Sequence, residues 1–196
     1  MDVPMQVPEP SDVKSPAYFA HIVLYTKKLQ EMVDWYCHFL GANVMGASGN
    51  IAFLTYDDEH HRIAIIEMPD YKDREPNTIG MAHFAYSYAS AGDLIHQYER
   101  LKAAGVMPAR TINHGPTTSL YYRDPEENGV EIQVDNFPTS AALNEWFATG
   151  DFNRNPIGVA FDFEEIVQRH KAGEAEASLL HPRDGDTAAL MSANDR

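Results

Sequence analysis

Residues 112–134 read INHGPTTSLYYRDPEENGVEIQV. It combines a histidine, a strand that carries Tyr121, a polar turn and a second strand that carries Glu131. The turn RDPEENG begins with Asp-Pro, in which proline fixes φ. It ends with Asn128-Gly129, a pair that commonly supplies the positive φ of a tight hairpin. The pattern therefore predicts two neighbouring antiparallel strands.

The second of these strands alternates in polarity. Val130, Ile132 and Val134 share one face, so Glu131 and Gln133 point the other way. A carboxylate on that face lies either in water or in a cavity. Water is the commoner environment for one isolated glutamate on a strand. Other residues of the chain therefore have to show which environment Glu131 has.

Length and composition describe a globular chain. Its 196 residues, 44% of them hydrophobic, make one ordinary domain or two small fused modules. No run of about 18 apolar residues is present, so we expect no membrane span. The N-terminus lacks the basic start and apolar core of a secretory signal.

Charge and cysteine content narrow the possible functions. The formal net charge of −14 repels phosphate backbones and argues against nucleic-acid binding. The single cysteine, Cys37, excludes a disulfide framework and a thiolate zinc site within one chain. We therefore expect a reducing, cytoplasmic setting. Nine histidines are a generous supply, and some are expected to do more than pack.

The order of predicted elements occurs twice. A buried strand from Ala17, a helix ended by Gly41 and three short strands make a first module over residues 17–68. A strand, a helix ended by Gly105 and three strands make a second over residues 80–137. The motif AHIVLYT aligns with AHFAYSY, 62 positions later, and AFLTYDD aligns with SLYYRDP, 67 positions later. The fold class is therefore α+β, with paired βαβββ modules forming a cup-shaped mixed β-sheet around a cavity.

The two ends of the chain differ from this repeat. Residues 1–16 hold four prolines and are predicted to form an extended arm. Residues 138–174 predict a helical extension, with an Asp162 cap before its second helix. Residues 175–196 are small and polar, and we expect a disordered tail. The arm and the aromatic extension favour a homo-oligomer, a dimer or higher.

Two histidines and one carboxylate fall where such a fold can bring them together. His21 and His83 occupy matching positions in the first strand of each module, close to the predicted pseudo-twofold axis. Glu131, on the last strand of the second module, is able to join them. Two imidazoles and one carboxylate with open positions suit iron(II), and they tolerate Mn²⁺ or Zn²⁺.

This pattern resembles the vicinal-oxygen-chelate superfamily. That group includes glyoxalases, epimerases, antibiotic-resistance proteins and extradiol ring-cleaving dioxygenases. The resemblance covers roughly residues 17–137. Several members use two histidines and a glutamate, so these residues alone do not choose among them.

Further residues resemble the type I extradiol dioxygenases in particular. The extradiol signature is matched in order by His114, GPTTS, Leu120, Tyr121, YR, Asp124, Pro125, EENGV and Glu131. The chain departs from it at Glu127, where the pattern usually carries Gly or Pro. In EHHRIAIIEMP a histidine pair precedes the second ligand strand, and His61 matches the family's acid–base residue.

The resemblance implies a reaction and a set of roles. Fe²⁺, with Mn²⁺ possible, is held by His21, His83 and Glu131, and a catechol is opened by O₂ beside its two hydroxyls. His61 exchanges protons with the substrate. Tyr121 hydrogen-bonds a catechol oxygen, and His114 donates a hydrogen bond to substrate or product.

Two alternatives remain open at this point. The first is a glyoxalase-like lyase or epimerase, which a fourth metal carboxylate in the first module would favour. The corresponding position near Ala64 is apolar, which counts against a four-residue site. The second is a binding protein of the same fold that sequesters an aromatic drug, which loss of His61 and Tyr121 from the pocket would favour.

Overall fold

The computed structural model describes residues 14–75 and 78–180, together with the backbone of the short strand Thr187–Ala188. The chain divides into two compact units, Met1–Pro69 and Asp70–Arg196. Most of the expected N-terminal arm lies outside the described residues. Among the residues described, no helix has the length and apolarity needed to cross a membrane.

The first unit is one βαβββ module. Its elements are β1 (Ile22–Thr26), α1 (Leu29–Leu40), β2 (Asn43–Ser48), β3 (Ile51–Thr55) and β4 (Ile63–Glu67). The sheet order is β1-β4-β3-β2. Strand β1 runs parallel to β4, and the other pairings are antiparallel. A parallel pair of this kind needs a long crossover connection, which α1 begins.

Helix α1 forms because its apolar residues repeat at helical spacing. Met32, Val33, Tyr36 and Phe39 are buried, and they make one stripe against the sheet. The helix ends at Gly41, which adopts a left-handed conformation with φ 67°. The predicted apolar stripe and its glycine stop are confirmed.

Strand β1 differs from its prediction as a buried strand that starts at Ala17. It begins only at Ile22, so His21 lies immediately before the strand. Its burial alternates: Leu24 is buried, whereas Val23 and Tyr25 are 47% and 56% exposed. Among the described residues, β1 is an edge strand with β4 as its one neighbour, and the alternation shows that only one of its faces is turned to the core.

The second unit repeats the module and then extends it. The repeat consists of β5 (Phe84–Tyr88), α2 (Ala91–Ala103), β6 (Arg110–Asn113), β7 (Thr117–Arg123) and β8 (Gly129–Asp135). These strands lie in the order β6-β7-β8-β5, with β5 parallel to β8. This is the first unit's arrangement again. The predicted α+β class and the doubled βαβββ order are confirmed.

The hairpin turn between β7 and β8 has a different geometry from the one predicted. The residue with positive φ is Glu127, at 61°, and not Asn128-Gly129. Asp124 organises the turn, because its Oδ1 accepts hydrogen bonds from the backbone N–H groups of Glu126 and Asn128. The buried Asp124 carboxylate thus holds Glu127 in a backbone conformation that a glutamate rarely adopts.

A helical extension follows the second module. It comprises α3 (Ser140–Ala148), α4 (Asp151–Arg154), β9 (Val159–Ala160), α5 (Phe163–Lys171), α6 (Glu176–Leu179) and β10 (Thr187–Ala188). Asp162 caps α5, as predicted, by accepting from the backbone N–H of Glu164. Strand β9 was not predicted, and it adds to the sheet by pairing with β6.

Regular structure continues further along the C-terminal segment than the sequence predicted. We expected a disordered tail from residue 175, but α6 forms there and Leu179 and Leu180 are buried. The physical reason is a second anchor: the Glu176 carboxylate accepts hydrogen bonds from the N–H groups of Ala91 and Gly92 at the start of α2. Most of the remaining tail lies outside the described residues.

Candidate active site

The second unit places His83 and Glu131 side by side. His83 directly precedes β5, and Glu131 lies in β8 opposite Ala85 of β5. The distance from His83 Nε2 to Glu131 Oε2 is 2.9 Å. The Glu131 side chain is only 5% exposed, whereas that of His83 is 36% exposed. The polar face of β8 is therefore turned into the protein at this glutamate and not into water.

Glu131 is held in its ionised form. Burial acts to raise its pKa, but hydrogen bonds with His83 and Ser119 outweigh that effect, so its pKa lies below the ordinary value. Ser119 is fully buried on the neighbouring strand β7. An ionised, buried carboxylate beside an imidazole is a donor pair of the kind that binds a divalent metal.

Gly129 allows the backbone of β8 to approach His83 closely. A Cβ atom at this position would lie 2.4 Å from the carbonyl oxygen of Ala82 and 3.0 Å from Cβ of His83. The sequence assigned this glycine to the turn. Its observed role is the close packing of β8 against the residues that carry His83.

Tyr121 lies opposite Glu131 on β7 and is linked to His114. Tyr121 Oη is 2.6 Å from His114 Nε2, and His114 Nδ1 is 2.6 Å from the carbonyl oxygen of Ile157. A carbonyl only accepts, so Nδ1 carries a proton. Burial lowers the pKa of His114, which keeps the ring neutral, so Nε2 accepts the hydrogen bond that Tyr121 donates.

The Tyr121 hydroxyl remains a neutral phenol. Its burial and the nearby Glu131 carboxylate raise its pKa above the ordinary value. The Arg110 guanidinium lies 4.2 Å from the Tyr121 ring centroid, and His83 meets the same ring edge-on at 5.3 Å. The second unit therefore brings His83, His114, Tyr121 and Glu131 into one cluster.

The first unit gathers the remaining predicted residues around His61. The rings of His21 and His61 are 4.5 Å apart, and Phe53 meets the His61 ring at 4.9 Å. Nδ1 of His60 lies 2.6 Å from Nδ1 of His61. Burial and the neighbouring rings of His21 and His60 lower the pKa of His61, so it is neutral at pH 7 and able to accept a proton.

The internal repeat shows which residues differ between the modules. Glu131 pairs with Ala85 and with Tyr121, whereas in the first unit Ala64 pairs with Val23 and with Phe53. Ala64 therefore occupies the position of Glu131 in the first module. An alanine there supplies no fourth carboxylate, as the sequence indicated.

The second unit offers two donors with the spacing of neighbouring metal ligands. Two atoms that each bind a metal at about 2.1 Å, at right angles, lie about 3 Å apart. His83 Nε2 and Glu131 Oε2, which here share a hydrogen bond of 2.9 Å, are therefore close enough for both to bind one metal ion in its place. Within the described part of either unit, no three His, Cys, Asp or Glu side chains are arranged so that they could hold one metal ion. The third predicted ligand, His21, belongs to the first unit.

A buried amide network behind His114 was missed by the sequence analysis. The Asn113 amide donates to Thr118 Oγ1 and to the carbonyl oxygen of Leu180, and its Oδ1 accepts from Gly115 N–H and from the Asn136 amide. These bonds fix the loop that follows β6. The signal in the sequence was the polar pair Asn113 and Thr118 on either side of His114, with Asn136 directly after β8.

Known proteins resemble this chain over more than half of its length. Residues 18–132 match the Glyoxalase/Bleomycin resistance protein/Dioxygenase superfamily. The chain is 44% identical to Biphenyl-2,3-diol 1,2-dioxygenase 2 of Rhodococcus globerulus over 79% of this chain and 82% of that protein. It is 40% identical to Biphenyl-2,3-diol 1,2-dioxygenase 3 of the same organism over 82% and 85%.

Solved structures share the fold at low identity. A glyoxylase/bleomycin resistance protein/dioxygenase domain from Frankia sp. EAN1pec is 20% identical with a TM-score of 0.53, over 66% of this chain and 99% of that one. Lactoylglutathione lyase from Agrobacterium tumefaciens is 18% identical with a TM-score of 0.50, over 62% and 96%. At these identities the likeness concerns the fold alone. The chain belongs to the glyoxalase/bleomycin resistance protein/dioxygenase superfamily.

Proposed function

We propose that this protein is an extradiol dioxygenase that opens the ring of a catechol-type diol with O₂. The observation that carries the proposal is the cluster of His83, Tyr121 and Glu131, in a chain 44% identical to a biphenyl-2,3-diol 1,2-dioxygenase. In that diol, carbons 2 and 3 bear the hydroxyls. Cleavage between carbons 1 and 2 therefore breaks the bond beside the diol, and not the bond between the hydroxyls.

The reaction uses a catalytic metal, for which we propose Fe²⁺, with Mn²⁺ as the possible substitute. Its proposed ligands are His21, His83 and Glu131. When bound, the metal lowers the pKa of the diol hydroxyls and lets electrons pass from the diol to O₂. The ionised Glu131 would bring one negative charge to a divalent metal, which would keep a net positive charge that favours an ionised diol.

Two side chains are proposed to act on the diol. Tyr121 hydrogen-bonds one of its oxygens, and His61 exchanges a proton with it. The neutral Tyr121 phenol has one O–H, with which it donates a hydrogen bond to His114 Nε2. We propose that, when a diol binds, the Tyr121 hydroxyl donates its hydrogen bond to a diol oxygen and no longer to His114. The neutral His61 ring accepts a proton from the diol and returns it during ring opening.

His114 has a narrower role in this proposal than the sequence indicated. We predicted that it donates a hydrogen bond to substrate or product. In its neutral form its one N–H is already directed at the Ile157 carbonyl, and Nε2 accepts from Tyr121. His114 therefore donates to a ligand only after it gains a second proton, and it otherwise acts by orienting Tyr121.

The test is aerobic turnover by iron-loaded protein. Iron is added without oxygen, a set of catechols is supplied with O₂, and oxygen uptake is measured together with the appearance of yellow ring-opened product. We expect Glu131→Ala to lose iron and activity, and His61→Ala to keep iron but turn over slowly. Gln133→Ala, on the same face of β8, is the matched control and retains iron. No oxygen uptake with any catechol would overturn the proposal.

Two further properties remain predictions. We expect a homo-oligomer, a dimer or higher, which sedimentation equilibrium measures directly. We also expect a cytoplasmic setting, because the single Cys37 gives the chain no intramolecular disulfide. Fractionation of the producing cell tests that expectation.

A further inference from the structure

The two nitrogens of the His114 ring contact different parts of the second unit. Nε2 lies 2.6 Å from Oη of Tyr121, which belongs to β7 of the repeated module, and Nδ1 lies 2.6 Å from the carbonyl oxygen of Ile157. Ile157 follows residue 132, where the match to the superfamily ends. The hydrogen-bond partners of a neutral imidazole decide which of its nitrogens carries the proton. The helical extension therefore supplies the atom that fixes the tautomer of His114.

The Ile157 carbonyl is held in place by Asn155. Both residues lie in the loop between α4 and β9. The Asn155 side chain closes this loop on Gly158: its Oδ1 accepts from the Gly158 N–H at 3.0 Å, and its Nδ2 donates to the Gly158 carbonyl at 2.8 Å. The Gly158 N–H and the Ile157 carbonyl belong to one trans peptide group, so they point in opposite directions. Because Asn155 binds the N–H on one side, the carbonyl is directed at His114 on the other.

Gly158 allows this peptide group to lie directly against the residues that carry the imidazole. It has φ 96°, and a Cβ atom there would lie 2.1 Å from the carbonyl oxygen of Asn113 and 2.7 Å from Cα of His114. Strand β9 begins at the next residue and pairs with β6. The peptide group is therefore held by two contacts, the Asn155 side chain and the backbone at the end of β6, which leave little room for it to rotate.

The tautomer decides where the Tyr121 hydroxyl points. With the proton on Nδ1, His114 presents a lone pair at Nε2 and accepts the Tyr121 hydrogen bond. With the proton on Nε2, the imidazole would donate to the Tyr121 oxygen, and the hydroxyl hydrogen would turn to another acceptor. Glu131 lies opposite Tyr121 on β8, and its carboxylate is within hydrogen-bond reach of that hydroxyl. A hydrogen bond directed at Glu131 would occupy a lone pair that the proposed metal requires.

We propose that Asn155 is a positioning residue for the ring-opening site. Through the Ile157 carbonyl it keeps His114 in the form protonated at Nδ1, and His114 in turn directs the Tyr121 hydroxyl away from Glu131. The consequence for metal binding rests on the proposed dioxygenase function. The tautomer itself is a property of the chain without metal or substrate.

The first test needs neither metal nor turnover. Long-range ¹H–¹⁵N correlation spectra of histidine-labelled protein distinguish a protonated ring nitrogen from an unprotonated one, and His114→Gln identifies the signals of this ring. In mildly alkaline buffer we expect wild type to be protonated at Nδ1, and Asn155→Ala to populate the form protonated at Nε2. Asn155→Asp retains the acceptor for the Gly158 N–H and should keep the wild-type form. Asn153→Ala, which removes an exposed asparagine of α4, is the matched control. The wild-type tautomer in Asn155→Ala would overturn the inference, as would an Asn155→Asp protein with the altered tautomer.

The second test is a double-mutant cycle on metal affinity. We expect Asn155→Ala to weaken anaerobic Fe²⁺ binding by about tenfold, the effect expected for one hydrogen bond to a charged group. Tyr121→Phe has no hydroxyl to redirect, so adding Asn155→Ala to it should leave its Fe²⁺ affinity unchanged. An equal loss in both backgrounds would overturn the inference, because Asn155 would then act by a route that does not include Tyr121. If wild type binds no Fe²⁺ and opens no catechol, the proposed function fails, while the tautomer spectra still decide whether Asn155 controls His114.

Discussion

At the scale of single residues, Glu127 carries a backbone strain that the sequence analysis had assigned to Asn128-Gly129. The extradiol pattern usually has Gly or Pro at this position, and Glu127 adopts φ 61°. We predict that Glu127→Gly stabilises the protein by about 0.5–1 kcal/mol, because relief of the left-handed strain exceeds the entropy that glycine loses on folding. Urea unfolding measures the change.

The neighbouring residue supplies the control for this prediction. Glu127 is the one non-glycine residue with positive φ among those described, so Glu126 has no such strain to relieve. Glu126→Gly should therefore destabilise the protein, by about 0.5–1 kcal/mol. A loss of stability in both variants would show that the turn does not store strain at Glu127.

Gly129 sets the position of His83, and an added methyl group tests this. We predict that Gly129→Ala weakens metal binding at least tenfold and lowers stability, because the new Cβ would overlap the Ala82 carbonyl at 2.4 Å. Isothermal titration with Fe²⁺ under nitrogen measures the affinity. Gly80→Ala is the matched control, since no atom lies within 4 Å of a Cβ built there. Equal iron affinity in Gly129→Ala and wild type would contradict the assignment.

The burial of Glu131 shows what one strand can and cannot predict. Alternation in β8 correctly placed Glu131 on the face of the strand away from Val130 and Ile132. It could not say whether that face is exposed to water or buried. The decision depends on Ser119 and His83, which are distant in sequence and become neighbours only in the folded sheet. His114 shows the same limit: its acceptor role depends on the Ile157 carbonyl, 43 residues away.

At the scale of secondary-structure elements, a polar contact joins α5 to α2. The Tyr98 hydroxyl donates to Glu164 at 2.5 Å, and Lys102 pairs with the same carboxylate. These two groups lower the pKa of Glu164. We predict that Glu164→Gln costs about 1 kcal/mol at pH 7, a value reduced by solvent screening because the carboxylate is partly exposed.

The pH dependence of this contact follows from the direction of the pKa shift. Because the pKa of Glu164 is lower in the folded state, its charged contacts stabilise the protein above the unfolded pKa. That stabilisation is lost as the pH falls through the folded pKa. Urea unfolding of wild type and Glu164→Gln should therefore differ at pH 7 and converge in acid. Glu145→Gln, on the exposed face of α3, is the control and should match wild type at both pH values. A difference that persists in strong acid would contradict the assignment.

The elements themselves were predictable to different degrees. Both module helices and α5 were found from apolar spacing and their caps or glycine stops, such as Gly41 and Asp162. The predicted start of β1 was wrong because the apolar run begins at Ala17, in exposed residues that precede the strand. Strand β9 has only two residues and depends on pairing with β6, which no local pattern announces.

At the scale of the whole molecule, the internal repeat carried the prediction of the fold. Two alignments of short motifs, at separations of 62 and 67 residues, indicated the βαβββ unit, and both sheets have the corresponding strand order. The repeat also shows that the second module, and not the first, has the carboxylate and the tyrosine. Ala64 and Phe53 of the first module occupy the positions of Glu131 and Tyr121 in the second. The helical extension has no counterpart in the repeat, so the repeat could not place its strand β9 or its contacts with the second module.

The proposed metal also makes a prediction for the whole molecule, because the residues proposed to bind it are drawn from both units. Metal that binds only the folded state at a hundredfold excess over its Kd stabilises it by about 2.7 kcal/mol. Anaerobic Fe²⁺ should therefore raise the unfolding temperature, and a chelator should reverse the shift. His21→Ala in the first unit and Glu131→Ala in the second should each abolish it, whereas His38→Ala on the exposed face of α1 should keep it. If His21→Ala retained the full shift while Glu131→Ala lost it, the second unit alone would hold the metal and His21 would not be a ligand.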